Sequence, residues 1–241
     1  MSFLKVFLKK NKIPNCSAVI VAAGSSQRMG SDKLMAALGD MPVLAHTLYA
    51  FEKSPFIREI VVVTRSEKLG EIADLCKKHA IKKVSKVVVG GATRVESALA
   101  GVCAVDPKAN LVAIHDGARP FISQEVIERT VMAADIYKAA APGVKCVDTL
   151  KALDENGFIC GSIDRDQVIR IQTPQIFHTD LIKGALTKAV TMKLPITDDC
   201  SAIEMMGVKC FVVDGDEYNI KLTGPSDMVL AAAILEERGE L

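Results

Sequence analysis

Apolar runs and helix-like segments alternate along the first two thirds of the chain. Four stretches are apolar at successive positions, as buried strands are: 17–23, 59–64, 83–89 and 110–115. Between and after them, apolar residues recur with the spacing of one helix face at 42–54, 66–79, 93–105 and 123–138. Strands that are apolar on both faces and are separated by helices are typical of a parallel sheet covered on both sides. The pattern therefore predicts an α/β architecture.

The alternation of strand-like and helix-like segments changes after Pro142. Two β-like segments, 147–153 and 158–163, flank Asp154-Glu155-Asn156-Gly157, and Asn-Gly is a strong hairpin turn signal. Further helices are predicted at 179–191, 198–206 and 226–238, with a strand at 208–213. We expect a Rossmann-like three-layer domain over 17–241, with a mostly parallel central sheet covered by helices, plus a projecting β-hairpin arm at about 144–172. Residues 1–16 form an N-terminal extension in this interpretation.

Composition narrows the class of protein. The 241 residues are 49% hydrophobic and 24% charged, which are values of a globular chain rather than a disordered one. Lys and Arg number 30 against 29 Asp and Glu, so no bulk affinity for nucleic acid or for an acidic membrane is expected, although a local basic site stays open. No apolar run approaches the ~18 residues that span a bilayer.

The cysteines and histidines are dispersed. The seven cysteines include no Cys-x-x-Cys pair, and the four histidines lack the close spacing of metal ligands. This usage predicts free thiols in a reducing, cytoplasmic compartment. The first 15 residues are basic and amphipathic but lack the features of a signal peptide, so they are either a frayed terminus or a surface-binding segment.

Three loops carry the candidate chemistry, because ligands of open α/β sheets bind beyond the carboxyl ends of the strands. The first loop spans 22–33 and contains Gly24, Arg28, Gly30 and Lys33. Small residues let a ligand approach the backbone, and the two cations suit phosphate oxygens. Neither a Walker A motif nor a Gly-x-Gly-x-x-Gly fingerprint is present, so a plain turn with two solvated cations is the alternative.

The second and third loops follow the third and fourth predicted strands. Gly90-Gly91-Ala92-Thr93-Arg94 offers bare backbone to a base or ribose, and Thr93-x-x-Glu96 is a capping-box signature. His115-Asp116-Gly117-Ala118-Arg119-Pro120 places a carboxylate at a strand end, where it suits Mg²⁺. Taken singly, each loop also reads as an ordinary turn, and Asp116 as a turn or cap residue.

Several later motifs follow in order along the chain. They are His-Asp-Gly-Ala-Arg-Pro at 115–120, Asp148-Thr149-Leu150-Lys151, Asp164-Arg165, Thr173-Pro174-Gln175, Thr197-Asp198-Asp199 and Asn219-Ile220-Lys221. Together with the first loop they resemble the 2-C-methyl-D-erythritol 4-phosphate cytidylyltransferase family from about residue 17 onward. The first loop alone also resembles the molybdopterin nucleotidyltransferases, but the later motifs do not fit that group.

The resemblance implies transfer of CMP from CTP to 2-C-methyl-D-erythritol 4-phosphate, with Mg²⁺ or another divalent cation, by a homodimer. It implies catalytic roles for Arg28, Lys33, Asp116 and Lys221, with Asp116 beside the metal. It implies a nucleotide pocket formed by Ala22, Ala23, Gly24, Gly91, Ala92, Ser97 and Gly117. It implies a second-substrate site formed by Arg119, Thr149, Arg165, Thr173 and Lys221, in which the arm carries Arg165 to the partner's active site.

Two other functions stay open at this point. A ribitol-5-phosphate or other polyol-phosphate cytidylyltransferase would use the same scaffold and nucleotide loop. A non-catalytic nucleotide-binding protein would keep the fold, but retention of Arg28, Lys33, Asp116 and Lys221 together argues against it. Ala92 stands where the family commonly has a polar residue, which leaves any base contact there to the backbone.

Overall fold

The computed structural model describes residues 13–24 and 32–239. Its strands are β1 (Cys16–Val21), β2 (Ala37–Leu38), β3 (Met41–Pro42), β4 (Ile57–Thr64), β5 (Val84–Val89), β6 (Leu111–Asp116), β7 (Ala139–Lys145), β8 (Leu150–Leu153), β9 (Ile159–Ile163), β10 (Ile169–Ile171), β11 (Gln175–His178) and β12 (Phe211–Asp214). Its α-helices are α1 (Val43–Lys53), α2 (Leu69–Lys78), α3 (Arg94–Ala104), α4 (Gln124–Tyr137), α5 (Thr179–Thr191), α6 (Asp199–Glu204) and α7 (Pro225–Arg238). Short 3₁₀ turns occur at Ser66–Lys68 and Arg165–Gln167.

A central sheet with the order β10-β7-β11-β6-β1-β4-β5 organises the molecule. Strands β5, β4, β1 and β6 all pair in parallel. Beyond β6, strand β11 lies between β6 and β7 and pairs with both in antiparallel fashion. Strand β7 also pairs with β12 in parallel and with β10 in antiparallel fashion. The prediction of a mostly parallel sheet is confirmed.

Helices cover both faces of this sheet. One apolar cluster joins alternate strand residues such as Ala18 and Ile20 to helices α1, α2 and α4. The other joins the intervening residues, such as Val19, to helices α3, α5 and α6. Because side chains alternate between the two faces of a strand, the continuous apolar runs supply both clusters at once. The result is the three-layer arrangement that the pattern predicts.

The parallel strands bring three loops to one edge. The chain leaves β1 after Val21, β5 after Val89 and β6 after Asp116. Backbone hydrogen bonds fix these exits, with Gly117 N donating to Val21 O at 3.0 Å and Gly90 N donating to Thr64 O at 2.8 Å. The predicted capping box of Thr93 and Glu96 is present at the start of α3. The described ends of the first loop, at 22–24 and 32–33, and the second and third loops therefore lie beyond the carboxyl ends of the strands.

The predicted hairpin is also present. Strands β8 and β9 pair in antiparallel fashion from Leu150↔Ile163 onward, apart from the central sheet. Every residue of β9 and of β10 is exposed. Strands β7, β10 and β11 were not predicted. Within residues 13–24 and 32–239, no helix has both the length and the apolar character that crossing a bilayer requires.

The boundary of the expected N-terminal extension is partly visible. Residue Cys16, the last of that extension, is the first residue of β1. Asn15 O accepts hydrogen bonds from the backbone N–H groups of Asn110 and Leu111, at 2.9 and 3.1 Å. The chain is thus fixed to the sheet from at least Asn15. Residues 1–12 lie outside the described residues.

Candidate active site

A cavity of about 560 Å³ lies at the edge where the three loops meet. Nine of the residues implied by the family resemblance line it: Ala23, Gly24, Lys33, Gly91, Ala92, Ser97, Asp116, Gly117 and Lys221. Val21, Leu34, Thr93, Arg94, Ala118 and Thr223 complete its wall. Residues far apart in the sequence therefore converge in one concave site, as the positions of the loops predict.

Glycines allow these loops to approach one another closely. A Cβ atom on Gly90 would stand 2.6 Å from Ser97 Oγ and 3.0 Å from Ala23 Cβ. Ser97 is buried, and its hydroxyl donates at 2.9 Å to the backbone oxygen of Thr93, the N-cap residue of α3. A Cβ on Gly117 would come within 3.2 Å of Val21 O. This part of the wall is therefore made of small side chains and backbone, which a flat ligand can approach closely.

A charged cluster forms the other part of the wall around Asp116. Lys221 Nζ lies 2.9 Å from Asp116 Oδ2, Arg119 Nε lies 3.6 Å from the same oxygen, and Arg94 Nη2 lies 3.9 Å from Oδ1. Burial alone would raise the pKa of Asp116, but the charges of Lys221 and Arg94 outweigh it and lower that pKa to about 2. Asp116 is consequently ionised at neutral pH.

Arg94 is held by a second, fully buried carboxylate. Its Nη1 and Nη2 atoms donate to the two oxygens of Asp199 at 2.9 and 2.6 Å, and Asp199 is 0% exposed. Burial raises the pKa of Asp199, and the charge of Arg94 opposes that shift. The bidentate contact fixes the plane of the guanidinium and leaves its other N–H groups unused by Asp199.

No role was predicted for Arg94 or Asp199 from the sequence. The signals were present, because Arg94 ends the second loop and Asp199 belongs to the Thr197-Asp198-Asp199 motif. Asp198 caps α6 by accepting from Ser201 N at 2.9 Å, so its neighbour Asp199 falls in the first turn. What the sequence does not reveal is the pairing, since 105 residues separate the two partners.

His115 and Thr173 lie behind Asp116. Thr173 Oγ1 accepts from Asp116 N at 3.2 Å and lies 3.0 Å from His115 Nδ1, while His115 Nε2 lies 3.2 Å from Arg119 O. Burial lowers the pKa of His115 to about 4, so the ring is neutral at pH 7. Both ring nitrogens are engaged, and His115 is therefore part of the support of the loop rather than a free base.

The other described residues implied by the family resemblance do not line the cavity. Ala22 and Thr173 are buried and Arg119 is 12% exposed, with Arg119 Nη1 donating to Asn219 O at 2.7 Å. Thr149 and Arg165 are exposed and lie in the arm segment, where Arg165 Nη1 donates to Val147 O at 3.0 Å. In the single chain, none of these five residues (Ala22, Arg119, Thr149, Arg165 and Thr173) contributes to the cavity wall. Arg28 lies outside the described residues.

Lys33 is the last residue of the first loop and lies near the start of α7. The pKa of Asp227, in the first turn of α7, is lowered by hydrogen bonds from Thr223 and Gly224 and by the charge of Lys33. Lys33 and Lys221 thus bring two ammonium groups to the wall of one cavity, alongside the fixed guanidinium of Arg94. This is a site suited to a polyanion such as a triphosphate.

A divalent cation is also compatible with these residues. Among residues 13–24 and 32–239, no three His, Cys, Asp or Glu side chains cluster into a protein-only metal cage. Mg²⁺ is commonly held by one or two carboxylates together with substrate phosphates. Asp116 provides an ionised carboxylate at the cavity wall and fits that arrangement.

Comparison with known proteins agrees with this geometry. The family model described as 2-C-methyl-D-erythritol 4-phosphate cytidylyltransferase (IspD) matches residues 16–237. A protein of that name from Caldanaerobacter subterraneus is 41% identical over 230 residues, covering 92% of this chain and 100% of the relative. One from Halalkalibacterium halodurans is 39% identical over 224 residues, covering 92% and 97%.

Solved structures give the same result. The crystal structure of 4-diphosphocytidyl-2C-methyl-D-erythritol synthase from Anaerococcus prevotii superposes with a TM-score of 0.83 at 34% identity, covering 92% of this chain and 96% of that one. The 2-C-methyl-D-erythritol 4-phosphate cytidylyltransferase of Thermus thermophilus superposes with a TM-score of 0.76 at 30% identity, covering 92% and 99%. The similarity extends over nearly the whole of each relative.

Proposed function

The chain belongs to the 2-C-methyl-D-erythritol 4-phosphate cytidylyltransferase family, and on that basis we propose a role in the reaction for each residue of the site. It is a nucleotidyltransferase of isoprenoid biosynthesis that transfers CMP from CTP to 2-C-methyl-D-erythritol 4-phosphate. The products are 4-diphosphocytidyl-2-C-methyl-D-erythritol and pyrophosphate. The ribitol and non-catalytic alternatives are disfavoured, since the relatives share one named activity.

The observation that carries the assignment of roles is the convergence of Lys33, Asp116 and Lys221 on one cavity with a bare-backbone wall. The substrate phosphate is already an anion, so it attacks the α-phosphorus of CTP without a general base. The difficulty is to hold two anions together while negative charge builds on the α-phosphate. Catalysis of that kind depends on positioning and electrostatic stabilisation. A neutral, fully engaged His115 is consistent with it.

The small residues suit the nucleoside. We assign Ala23, Gly24, Gly91, Ala92 and Ser97 to the cytosine side and Gly117 to the ribose, with Ala22 buried behind them. The absence of side-chain bulk at these positions leaves backbone N–H and C=O groups as the polar contacts. Bases are distinguished by such groups when the loop geometry is fixed, and the hydrogen bonds of Gly90 and Gly117 to the neighbouring strand ends fix it here.

The cations suit the phosphates. We assign Lys33, and Arg28 from the same loop, to the triphosphate and the reacting α-phosphate. Asp116 would hold Mg²⁺ together with phosphate oxygens. When bound, Mg²⁺ neutralises phosphate charge that the lysine and arginine side chains would otherwise face alone. We assign Lys221, which pairs with Asp116 and is half exposed, to the orientation of the attacking phosphate.

The second-substrate site extends to the arm. We assign Lys221 and Arg119 to its inner part, and we propose that Thr149 and Arg165 complete it from a neighbouring chain. Arm residues expose large apolar side chains, with Val147 and Phe158 each 71% exposed and Ile159 66% exposed. An exposed apolar surface of this kind marks an interaction site. A homodimer joined through the arm would cover it and bring Arg165 to the partner's cavity.

Pyrophosphate release tests the proposal. The purified chain is offered CTP and Mg²⁺ with 2-C-methyl-D-erythritol 4-phosphate or with ribitol 5-phosphate, and ATP, GTP and UTP replace CTP in parallel. We expect release only with CTP and the methylerythritol substrate, and loss of most of it when EDTA removes the metal. Release with the ribitol substrate instead would contradict the acceptor, and full activity in EDTA would contradict the metal.

A further inference from the structure

Two cysteines next to the charged cluster face each other. Cys200 Sγ and Cys210 Sγ are 3.4 Å apart, closer than the van der Waals separation typical of unbonded, non-interacting sulfurs. All seven cysteines lie in the described residues, and no other two of them are in sulfur–sulfur contact there. Cys200 is 5% exposed, while Cys210 is partly exposed. One cysteine of the pair is therefore partly exposed to solvent and the other is buried.

The segment between the two cysteines can adapt to a shorter sulfur–sulfur distance. A disulfide bond is about 2.05 Å long, so the sulfurs would have to approach by roughly 1.4 Å. The connecting residues form the short helix α6 and a turn that ends in Gly207, which has φ +75°. Residues Glu204 to Gly207 are exposed. A surface turn of this kind tolerates small shifts better than the packed core does.

Both cysteines are connected to the cavity. Cys200 follows Asp199 directly, and its backbone N–H donates to Gln175 Oε1 at 2.9 Å. Asp199 in turn holds the guanidinium of Arg94 in the cavity wall. A movement of Cys200 toward Cys210 therefore shifts the first turn of α6, which also contains the buried carboxylate of Asp199.

We propose that Cys200 and Cys210 form a site of reversible oxidation, which a hydroperoxide closes into an intramolecular disulfide and a thiol reductant reopens, and that closure weakens CTP binding at the neighbouring cavity. This goes beyond the cytidylyl transfer itself. It concerns residues to which the reaction assigns no role.

The chemistry takes two steps. The more exposed thiol, Cys210, reacts first with the hydroperoxide ROOH and gives Cys210–SOH and the alcohol ROH, or water from hydrogen peroxide. The Cys200 sulfur then attacks the Cys210 sulfur, the S–S bond forms, and the hydroxyl leaves with the Cys200 proton as water. The hydrogen bond to Cys210 and burial raise the pKa of the Cys200 thiol, which disfavours Cys200 as the thiol that the hydroperoxide oxidises first. Two molecules of a monothiol reverse the reaction and become a disulfide themselves.

Peptide mapping tests the site without reference to activity. Trypsin cuts after Lys193, Lys209 and Lys221, so Cys200 and Cys210 fall in different peptides, 194–209 and 210–221. The full chain is treated with dilute hydrogen peroxide, capped with an alkylating agent and digested without reductant. We expect the two peptides to appear joined, with a mass two hydrogens below their sum, and to separate after dithiothreitol. Peptides that stay unlinked while Cys103 is oxidised would overturn the proposal.

Kinetics test the coupling to the cavity. After peroxide treatment we expect the KM for CTP to rise on the order of fivefold or more, and to return after reduction. Cys210→Ser removes the linked peptides and should remove that rise, while Cys103→Ser, which changes an exposed thiol at the far end of α3, should keep it. Linked peptides with an unchanged KM, or an equal rise in Cys210→Ser, would refute the coupling. If instead no cytidylyl transfer is found at all, the mapping result still decides whether the disulfide forms.

Discussion

At the scale of single residues, the candidate site combines the side chains of Lys33 and Lys221 with the ionised carboxylate of Asp116 along one cavity wall. Lys33, Asp116 and Lys221 were predicted from their motifs and do line one cavity. Arg94 and Asp199 were not assigned, because their importance comes from a contact between distant parts of the chain. Thr173 shows the opposite case, since its motif is visible in the sequence but its hydroxyl lies between Asp116 N and His115. Its contact with substrate stays a prediction.

Lys33 offers the most direct test of electrostatic catalysis. Replacing Lys33 by Ala should lower turnover by about 10²–10³-fold, comparable to the loss of one donor to a developing oxyanion. Steady-state pyrophosphate release measures this effect. Lys183→Ala, which changes an exposed lysine of α5, serves as the matched control and should retain wild-type turnover. A folded Lys33→Ala protein with near-normal turnover would remove Lys33 from the catalytic assignment.

Asp116 predicts how stability changes in acid. Its pKa is about 2 in the folded chain, against about 3.9 for an unperturbed aspartate. A lowered folded-state pKa means that the carboxylate stabilises the fold above pH ~4 and that this contribution is lost as the pH falls toward 2. The full contribution is on the order of 2 kcal/mol, and about half of it should remain at pH 3.

Urea unfolding at pH 6 and at pH 3 measures this contribution. The wild-type chain should lose about 1 kcal/mol more than Asp116→Asn between the two pH values, since the variant has no carboxylate to protonate. Asp74→Asn, at an aspartate that is 80% exposed, should follow the wild type. Parallel curves for the wild type and Asp116→Asn would show that Asp116 is not preferentially ionised in the folded state.

At the scale of elements, the long, periodic segments were predicted well. The expected helices at 179–191 and 123–138 correspond to α5 and α4 within a residue or so, because continuous apolar spacing fixes a helix face. Strands β10 and β11 have only three and four residues, too few for any period to show. Strand β7 is rich in alanine and contains Pro142, and its role follows from being placed between β11 and β12. Such strands are defined by their neighbours rather than by their own sequence.

Two glycines inside helices allow the effect of close packing on stability to be distinguished from the effect of helix propensity. In α3, a Cβ on Gly101 would stand 2.3 Å from Val19 Cγ1 and 2.7 Å from Val63 Cγ2, so the helix rests directly on the sheet. In α5, nothing lies within 4 Å of a Cβ placed on Gly184. Gly101→Ala should destabilise the chain by about 1–3 kcal/mol through overpacking. Gly184→Ala should stabilise it by about 0.5–1 kcal/mol through helix propensity. Urea unfolding of both variants checks the pair, and a common sign would contradict the close packing of α3.

The contact between Arg94 and Asp199 joins α3 to α6. Asp199→Asn leaves Arg94 without its charged partner, and breaking one side of a buried pair typically costs about 3–5 kcal/mol. Since the Arg94 side chain is 30% exposed, we expect the lower end, about 3 kcal/mol, in urea unfolding. Glu217→Gln is the matched control, because it breaks an arginine–carboxylate pair of similar length, 2.8 Å, whose members are 54% and 65% exposed.

The exposed pair should contribute less than about 1 kcal/mol. Equal losses of stability in Asp199→Asn and Glu217→Gln would mean that burial adds nothing to the contact of Arg94 with Asp199. A rise in the KM for CTP in Asp199→Asn alone would additionally show that the fixed guanidinium serves nucleotide binding.

At the scale of the whole molecule, the arm is the feature whose contacts a single chain does not account for. Large apolar residues of β8 and β9 are exposed, and Arg165, which the family resemblance places in the active site, lies outside the cavity of its own chain. The sequence predicts the hairpin from its Asn-Gly turn, but a hairpin pattern contains no information about what its outer surface meets. The prediction of a homodimer therefore rests on two observations together: the exposed apolar surface of the arm, and the position of Arg165 outside the cavity of its own chain.

Mixing two impaired variants, each assayed at substrate concentrations where it is nearly inactive by itself, tests whether the arm acts between chains. Lys33→Ala removes a residue of the chain's own cavity, and Arg165→Ala removes one that the arm would deliver to the partner. If Arg165 acts across a dimer, a mixed dimer has one site that lacks both residues and one site that is intact. After random subunit exchange at equal concentrations, half of the dimers are mixed, so about a quarter of the wild-type sites should be restored. Pyrophosphate release before and after exchange measures the recovery, and light scattering establishes that dimers are present. Before mixing, Arg165→Ala should raise the KM for 2-C-methyl-D-erythritol 4-phosphate more than the KM for CTP, because the guanidinium is assigned to the substrate phosphate. If exchange is demonstrated by mass-tagged chains and activity does not recover, Arg165 serves its own chain or none, and the exposed surface of the arm requires another explanation.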